Sequence, residues 1–290
     1  MFAEDEARLL ISAARTPAEL DAMVDRRAAG LPLEHVLGWA EFCGLRIAVA
    51  PGVFVPRRRT EFLVRQAAML ARGDDPPQTP PAGGTRPPGP PWPSPRTPLG
   101  EGDPPRPPRR ATARSRAVVV DLCCGAGAIA AAIAAALDGA EVYAVDIDAA
   151  AVRCARRNVP GQVYQGDLYE PLPAGLRGRV RILAANVPYV PTAEIGLLPT
   201  EARAYEPLVA LDGGPDGLDV LRRVAAGAPA WLAPGGYLLI ETSERQLPQA
   251  AAAFAASGLI PRVASSADLN ATVVIGRRPA PDGPWHTRNP

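Results

Sequence analysis

Histidine is nearly missing from this chain: His35 and His286 are the only two among 290 residues. Cysteine is scarce as well, with four at positions 43, 123, 124 and 154 and no Cys-x-x-Cys spacing. A zinc site is therefore not encoded, and small buried thiols of a reduced cytoplasm are expected. No apolar run approaches the ~18 residues of a membrane helix. The alanine-rich stretch Ala130–Ala136 is too short to span one. The acidic start Met1-Phe2-Ala3-Glu4-Asp5-Glu6 is unlike a signal peptide. Neither sign of charge is in excess. With 31 basic against 30 acidic residues, nothing global marks a surface for nucleic acid or an anionic membrane. A cytoplasmic, monomeric protein with no direct nucleic acid requirement is expected.

What the chain has in abundance is proline, 35 in all. They bunch in residues 73–116, where almost nothing apolar is present beyond Trp92 and Leu99. Such a segment cannot offset its ordering entropy and reads as a disordered Pro/Arg-rich linker. Its arginines (Arg106, Arg109, Arg110, Arg114, Arg116) could touch an RNA backbone, but a solvated tether is the plainer reading. The linker separates an N-terminal helical and β-hairpin domain, 1–72, from a larger domain, 117–278, with 279–290 as a flexible tail. In the N-terminal part, Glu4–Ala14 reads as a short helix. Thr16-Pro17-Ala18-Glu19 supplies a cap, a proline at the first turn and a capping-box glutamate for a second. From Leu33 to Val55 the pattern turns extended, and Thr60–Ala71 reads as a helix.

From Ala117 strands alternate with helices: strands at Val118–Leu122, Glu141–Val145, Gln162–Gln165, Arg181–Ala185, Tyr237–Thr242 and near Ala271–Gly276. The helices between them lie at Ala128–Leu137, Ala149–Asn158, Leu218–Trp231 and Leu247–Ala256. This alternation predicts an α/β fold, a doubly wound and mostly parallel sheet. Asp121-Leu122-Cys123-Cys124-Gly125-Ala126-Gly127 is the end of a strand, a tight turn and the start of a helix. Glycines there let backbone approach a ligand at a helix N-terminus. The turn alone also fits a nicotinamide-binding fingerprint. Asp121 argues otherwise, because a carboxylate before the glycines repels a pyrophosphate but can hold an ammonium, directly or through water. Asp146, ending the next strand, suits ribose hydroxyls, and Gly166-Asp167, ending the third, suits an adenine amino group. Cys123 and Cys124 read as small packing residues, not nucleophiles. Three acids at three successive strand ends resemble the class I S-adenosylmethionine (SAM) methyltransferases. The resemblance places Asp121, Cys123, Gly125, Gly127, Asp146, Ile147, Asp167, Leu168 and Asn186 against the cofactor.

Asn186-Val187-Pro188-Tyr189 follows the fourth strand, where ligand sites form in open α/β sheets. An amide nitrogen is a poor nucleophile because its lone pair is delocalised. Two acceptors on its N–H groups, the Asn186 side-chain oxygen and the Val187 carbonyl, would turn that lone pair toward a methyl group. Pro188 fixes the turn, and Tyr189 can cover a planar substrate. Asn186, Pro188 and Tyr189 are thus the candidate catalytic residues.

Further blocks strengthen a narrower resemblance: Pro32-Leu-Glu-His35-Val-Leu-Gly38, Phe54-Val-Pro56-Arg57-x-x-Thr60-Glu61, Tyr205-Glu206-Pro207, Gly214-x-Asp216-Gly217-Leu218 and Leu232-x-Pro234-Gly-Gly236. With these the chain resembles the protein-(glutamine-N5) methyltransferases that modify peptide-chain release factors. The resemblance implies a seven-stranded Rossmann-like sheet, SAM as cofactor and a release factor as partner. It implies that Asn186, Val187, Pro188 and Tyr189 hold the glutamine of a Gly-Gly-Gln loop, with Arg57, Thr60 and Glu61 bordering the cofactor and substrate pocket and Glu206 supporting the substrate loop. The usual Asn-Pro-Pro-Tyr reads Asn-Val-Pro-Tyr, and the usual Arg-Pro-Glu-Thr-Glu reads Arg57-Arg58-Arg59-Thr60-Glu61, a base for an acid near the pocket. The helical N-terminal part is also shorter than the family's docking domain. The rival readings are an adenine-N6 methyltransferase, a non-catalytic SAM-binding module and, more distantly, a nicotinamide oxidoreductase.

Overall fold

The computed structural model describes residues 3–74 and 116–280. The expected linker, apart from its first two residues and Arg116, and the expected tail beyond 280 lie outside the described residues. Three helices open the chain: α1 (Ala3–Ala13), α2 (Pro17–Ala28) and α3 (Leu33–Leu37). Half of the predicted capping box forms: the Thr16 hydroxyl accepts the N–H of Glu19 at 3.2 Å, while Glu19 reaches past the cap to accept the N–H of Arg15 at 2.8 Å. The third helix corrects an expectation of extended chain. Leu33 and Val36 share one face and close a small core with Leu10 and Met23. Gly38, left-handed at φ 79°, ends it after five residues.

A hairpin follows, β1 (Trp39–Phe42) against β2 (Leu45–Ala48). Its two turn residues, Cys43 and Gly44, both have positive φ (51° and 73°), the geometry that matches strand twist. A single helical turn, Arg58–Thr60, leads into α4 (Glu61–Arg72). The hairpin and α4 do not form a core of their own with the first helices. Phe42, Ile47, Leu63, Val64 and Ala67 are buried together with Val119, Ile182 and Leu239 of the sheet below and with Ile133 of the helix that follows its first strand.

That sheet is built from β3 (Val118–Leu122), α5 (Ala128–Ala136), β4 (Glu141–Asp146), α6 (Ala149–Ala155), β5 (Gln162–Gln165), β6 (Val180–Ala185), α7 (Thr200–Tyr205), α8 (Asp219–Trp231), β7 (Leu232–Thr242), α9 (Leu247–Ala256), β8 (Ile260–Ser266) and β9 (Ala271–Arg277). The seven strands run in the order β5-β4-β3-β6-β7-β9-β8, with β9 antiparallel to both neighbours. All five residues of β3 are buried, as a parallel strand covered on both faces requires. One face packs on the core just described and the other on Leu221, Val224 and Phe254. β8 was not expected: its Pro261 and its alternating exposure belong to an edge strand, the place that tolerates a missing N–H. Strand order reverses between β3 and β6, so the carboxyl ends of β3, β4, β5 and β6 open a crevice there. No described helix is long and apolar enough to cross a membrane.

Candidate active site

A cavity of about 650 Å³ occupies that crevice, within the range of small-molecule sites. Its floor on one side is the turn after β3. Gly125 has φ 54°, and a Cβ built there would meet only Phe54, at 4.0 Å, so its backbone is accessible. Asp146 braces the turn: its Oδ2 accepts the Gly125 N–H at 2.8 Å and its Oδ1 that of Asp148 at 2.9 Å. Each oxygen keeps a lone pair for a ligand. Burial pushes this carboxyl above its ordinary range, against the pull of those two N–H groups. Ile147, 52% exposed, and Leu168 line the cavity as apolar walls. Asp167 lines it too, with one oxygen held by Arg223 at 2.6 Å. Cys123 lines it with a thiol that burial raises far above its usual value, which keeps it neutral and unreactive.

Two sequence candidates stand elsewhere. Asp121 is fully buried beneath the turn and does not border the cavity. Its Oδ2 accepts the N–H of Ala130 in α5 at 3.0 Å, and its Oδ1 has no partner. Burial pushes its carboxyl up to about 8. Of the two ways expected for Asp121, directly or through water, direct acceptance is not offered, because the strand's face turns that side chain into the α5 interface. Gly127 is also off the cavity, and its absence of a side chain serves packing: a Cβ would come 2.5 Å from Val159 Cγ2.

On the other side Asn186, Val187, Pro188 and Tyr189 line the cavity together. The Asn186 amide nitrogen points to the Thr60 hydroxyl at 3.5 Å, while its Oδ1 is buried without a partner. Such an acceptor costs roughly 1–3 kcal/mol when left unfilled, so a donor is the natural complement. Thr60 is thereby not a side-chain cap of α4 but a neighbour of this amide. The segment is propped from behind: Gln246 Nε2 donates to the Tyr189 carbonyl at 2.9 Å and to that of Asp216 at 3.0 Å. Gly217 makes this approach possible, since a Cβ there would lie 2.3 Å from the Tyr189 carbonyl oxygen.

A roof over the cavity runs from Val190 to Leu211 and includes α7. It is tied to the N-terminal part by Arg57–Glu206 (2.6 Å), Arg27–Glu201 (2.5 Å) and Tyr205 Oη to the Ala29 carbonyl (2.8 Å). Arg57, Thr60 and Glu206 all line the cavity, whereas Glu61 does not and accepts the Cys43 N–H of the hairpin turn at 3.1 Å. Sequence reasoning missed Arg59, Arg223 and Phe54 as lining residues. Arg59 was visible only as a departure from a motif, and Arg223 sits in no motif at all.

Residues 110–179 match a family model described as the methyltransferase small domain. A release factor glutamine methyltransferase of Geobacter sulfurreducens is 35% identical over 233 residues, 78% of this chain. The chain spans 66% of that relative's length. One of the same name from Mycolicibacterium smegmatis is 32% identical over 272 residues, 91% of this chain and 82% of the relative. A 4-amino-L-phenylalanine/4-methylamino-L-phenylalanine methyltransferase of Streptomyces pristinaespiralis is 33% identical over 245 residues, 81% of this chain and 69% of the relative.

Proposed function

The chain belongs to the release factor glutamine methyltransferase family, and on that premise we propose that it methylates the side-chain amide nitrogen (N5) of a glutamine in a peptide-chain release factor, with SAM as methyl donor. The observation that carries the reading is the Asn186 Oδ1, buried without a partner at the cavity wall. Beside it the Val187 carbonyl belongs to no backbone hydrogen bond among the described residues. Two acceptors on adjacent residues match the two N–H groups of one primary amide.

The donor set suits SAM in the other half of the cavity. Asp146 has the lone pairs for ribose hydroxyls, the open backbone at Gly125 admits close approach, and Ile147 and Leu168 offer apolar faces to a flat base. Asp167, steadied by Arg223, has an oxygen left for an amino group. When bound, SAM supplies an electrophilic methyl group on a sulfonium sulfur. Asn186 and Val187 then aim the amide, withdraw its N–H hydrogens from the lone pair's direction and stabilise the charge that grows on nitrogen. Tyr189 walls the amide; burial raises its hydroxyl's pKa, so it stays neutral and takes no proton. The surplus proton leaves to solvent after transfer. Asp121 supports the turn from beneath.

Incubation with methyl-labelled SAM and purified release factor, followed by mass mapping, tests this. Label on the glutamine of a Gly-Gly-Gln loop is expected. Label on adenine of nucleic acid, or on 4-amino-L-phenylalanine in preference to the protein, would replace the substrate. SAM binding with no label on any of these would leave a non-catalytic module.

A further inference from the structure

We propose that Arg59 is a positioning residue for substrate binding, a fork that locks the Tyr189 ring to a buried anchor on β7; this rests on the reading of Tyr189 as the substrate wall. The Arg59 Nε donates to Glu241 Oε1 at 2.8 Å, and its Nη2 donates to the Tyr189 hydroxyl. The guanidinium carbon also lies 5.6 Å from the Tyr189 ring centroid. Glu241, next to last in β7, has a side chain only 4% exposed, and its other oxygen has no partner. Arg59 is thus the cation that compensates a buried carboxylate, and a side chain anchored in that way does not wander. Its second arm is left to hold the ring.

Tyr189 needs such a hold. Gln246 and Gly217 fix only its backbone carbonyl, and the residue lines the cavity. Arg59 uses a lone pair of the hydroxyl oxygen, which turns the hydroxyl hydrogen away from the guanidinium and leaves it available to a ligand. A lysine cannot reproduce this, because one ammonium on a flexible stem lacks the planar fork that serves two acceptors at once. No motif records the link, since its three residues lie 130 and 182 positions apart in sequence.

The test is a double-mutant cycle with full-length protein and release factor, each variant also titrated with SAM. Arg59→Ala is expected to raise the KM for the protein substrate about tenfold, on the scale of a partly desolvated cation–π contact with its hydrogen bond. SAM affinity should stay within about twofold of wild type, as expected for contacts that independent sites do not share. Arg59→Lys should fail to restore KM. In a Tyr189→Ala background, Arg59→Ala should add almost nothing. Equal effects in both backgrounds, restoration by lysine, or a loss of stability with KM unchanged would each overturn the proposal. If Arg59→Ala fails to fold, the cycle is run in Glu241→Gln, which leaves no buried charge to compensate. Ring-labelled tyrosine NMR separates this proposal from the functional reading on which it rests. The Tyr189 signal, identified by its loss in Tyr189→Phe, should shift or broaden in Arg59→Ala. An unchanged signal would sink the positioning role even if glutamine is methylated. Absence of methylation by wild type would sink the functional reading while the ring signal still reports on Arg59.

Discussion

Arg57 Nη2 lies 2.6 Å from both carboxylate oxygens of Glu206, joining the N-terminal part to the roof of the cavity across 149 residues of sequence. The pair is asymmetric. The Glu206 side chain is 1% exposed and also accepts the Val55 N–H at 3.1 Å, whereas Arg57 is 36% exposed. Arg57→Ala leaves a buried carboxylate uncompensated and should cost about 3–5 kcal/mol, while Glu206→Gln frees an arginine that water can solvate and should cost far less. Urea unfolding of both variants checks this; small losses in both would show that the pair contributes no more than a surface bridge, and equal large losses would overturn the asymmetry.

Asn186→Ala removes the unpartnered acceptor and should lower kcat by about 10²–10³, as loss of one transition-state hydrogen-bonding group does. Because Asn186 holds nothing in the turn after β3, SAM affinity measured by calorimetry should change little. A collapse of SAM binding would place Asn186 in the cofactor half instead.

Asp146→Asn keeps shape but not donor matching. An amide has one oxygen, so only one of the Gly125 and Asp148 N–H groups can still be satisfied, and the other meets an NH2 group. SAM affinity should fall at least tenfold, about 1.4 kcal/mol. Calorimetric titration reads this directly, and an unchanged affinity would remove Asp146 from the ribose assignment.

Asp121 predicts a pH dependence. Its carboxyl sits at about 8 in the folded protein against an ordinary 3.8, so the folded state binds this proton more tightly than the unfolded chain. The stability that goes with it is complete below about pH 4 and drains away as pH rises toward 8, at about 1.4 kcal/mol per unit in the steepest case. Asp146 and Glu206 are raised by burial too and slope the same way. Comparing wild type with Asp121→Asn isolates the one group: the variant's stability should fall less between pH 5 and pH 8. Parallel curves would mean that Asp121 is ionised in its buried place.

The strand–helix alternation after Val118, the glycine turn, the acids at three strand ends and the Asn-Val-Pro-Tyr segment were all legible in the sequence. Each is set by neighbours within a few residues, through side-chain period, turn chemistry and backbone freedom. Two local misreadings have local causes: α3 is only five residues long, and Pro261 disguises an edge strand. What only the tertiary structure decided is who meets whom. Asp121 and Asp146 look alike in sequence, yet the strand faces bury one under α5 and turn the other to the cavity. The partners of Arg57, Arg59 and Arg223 lie 149, 182 and 56 residues away. An ion pair's strength and a carboxyl's proton affinity depend on distance and on the water excluded around them, and the order of strands in the sheet sets both.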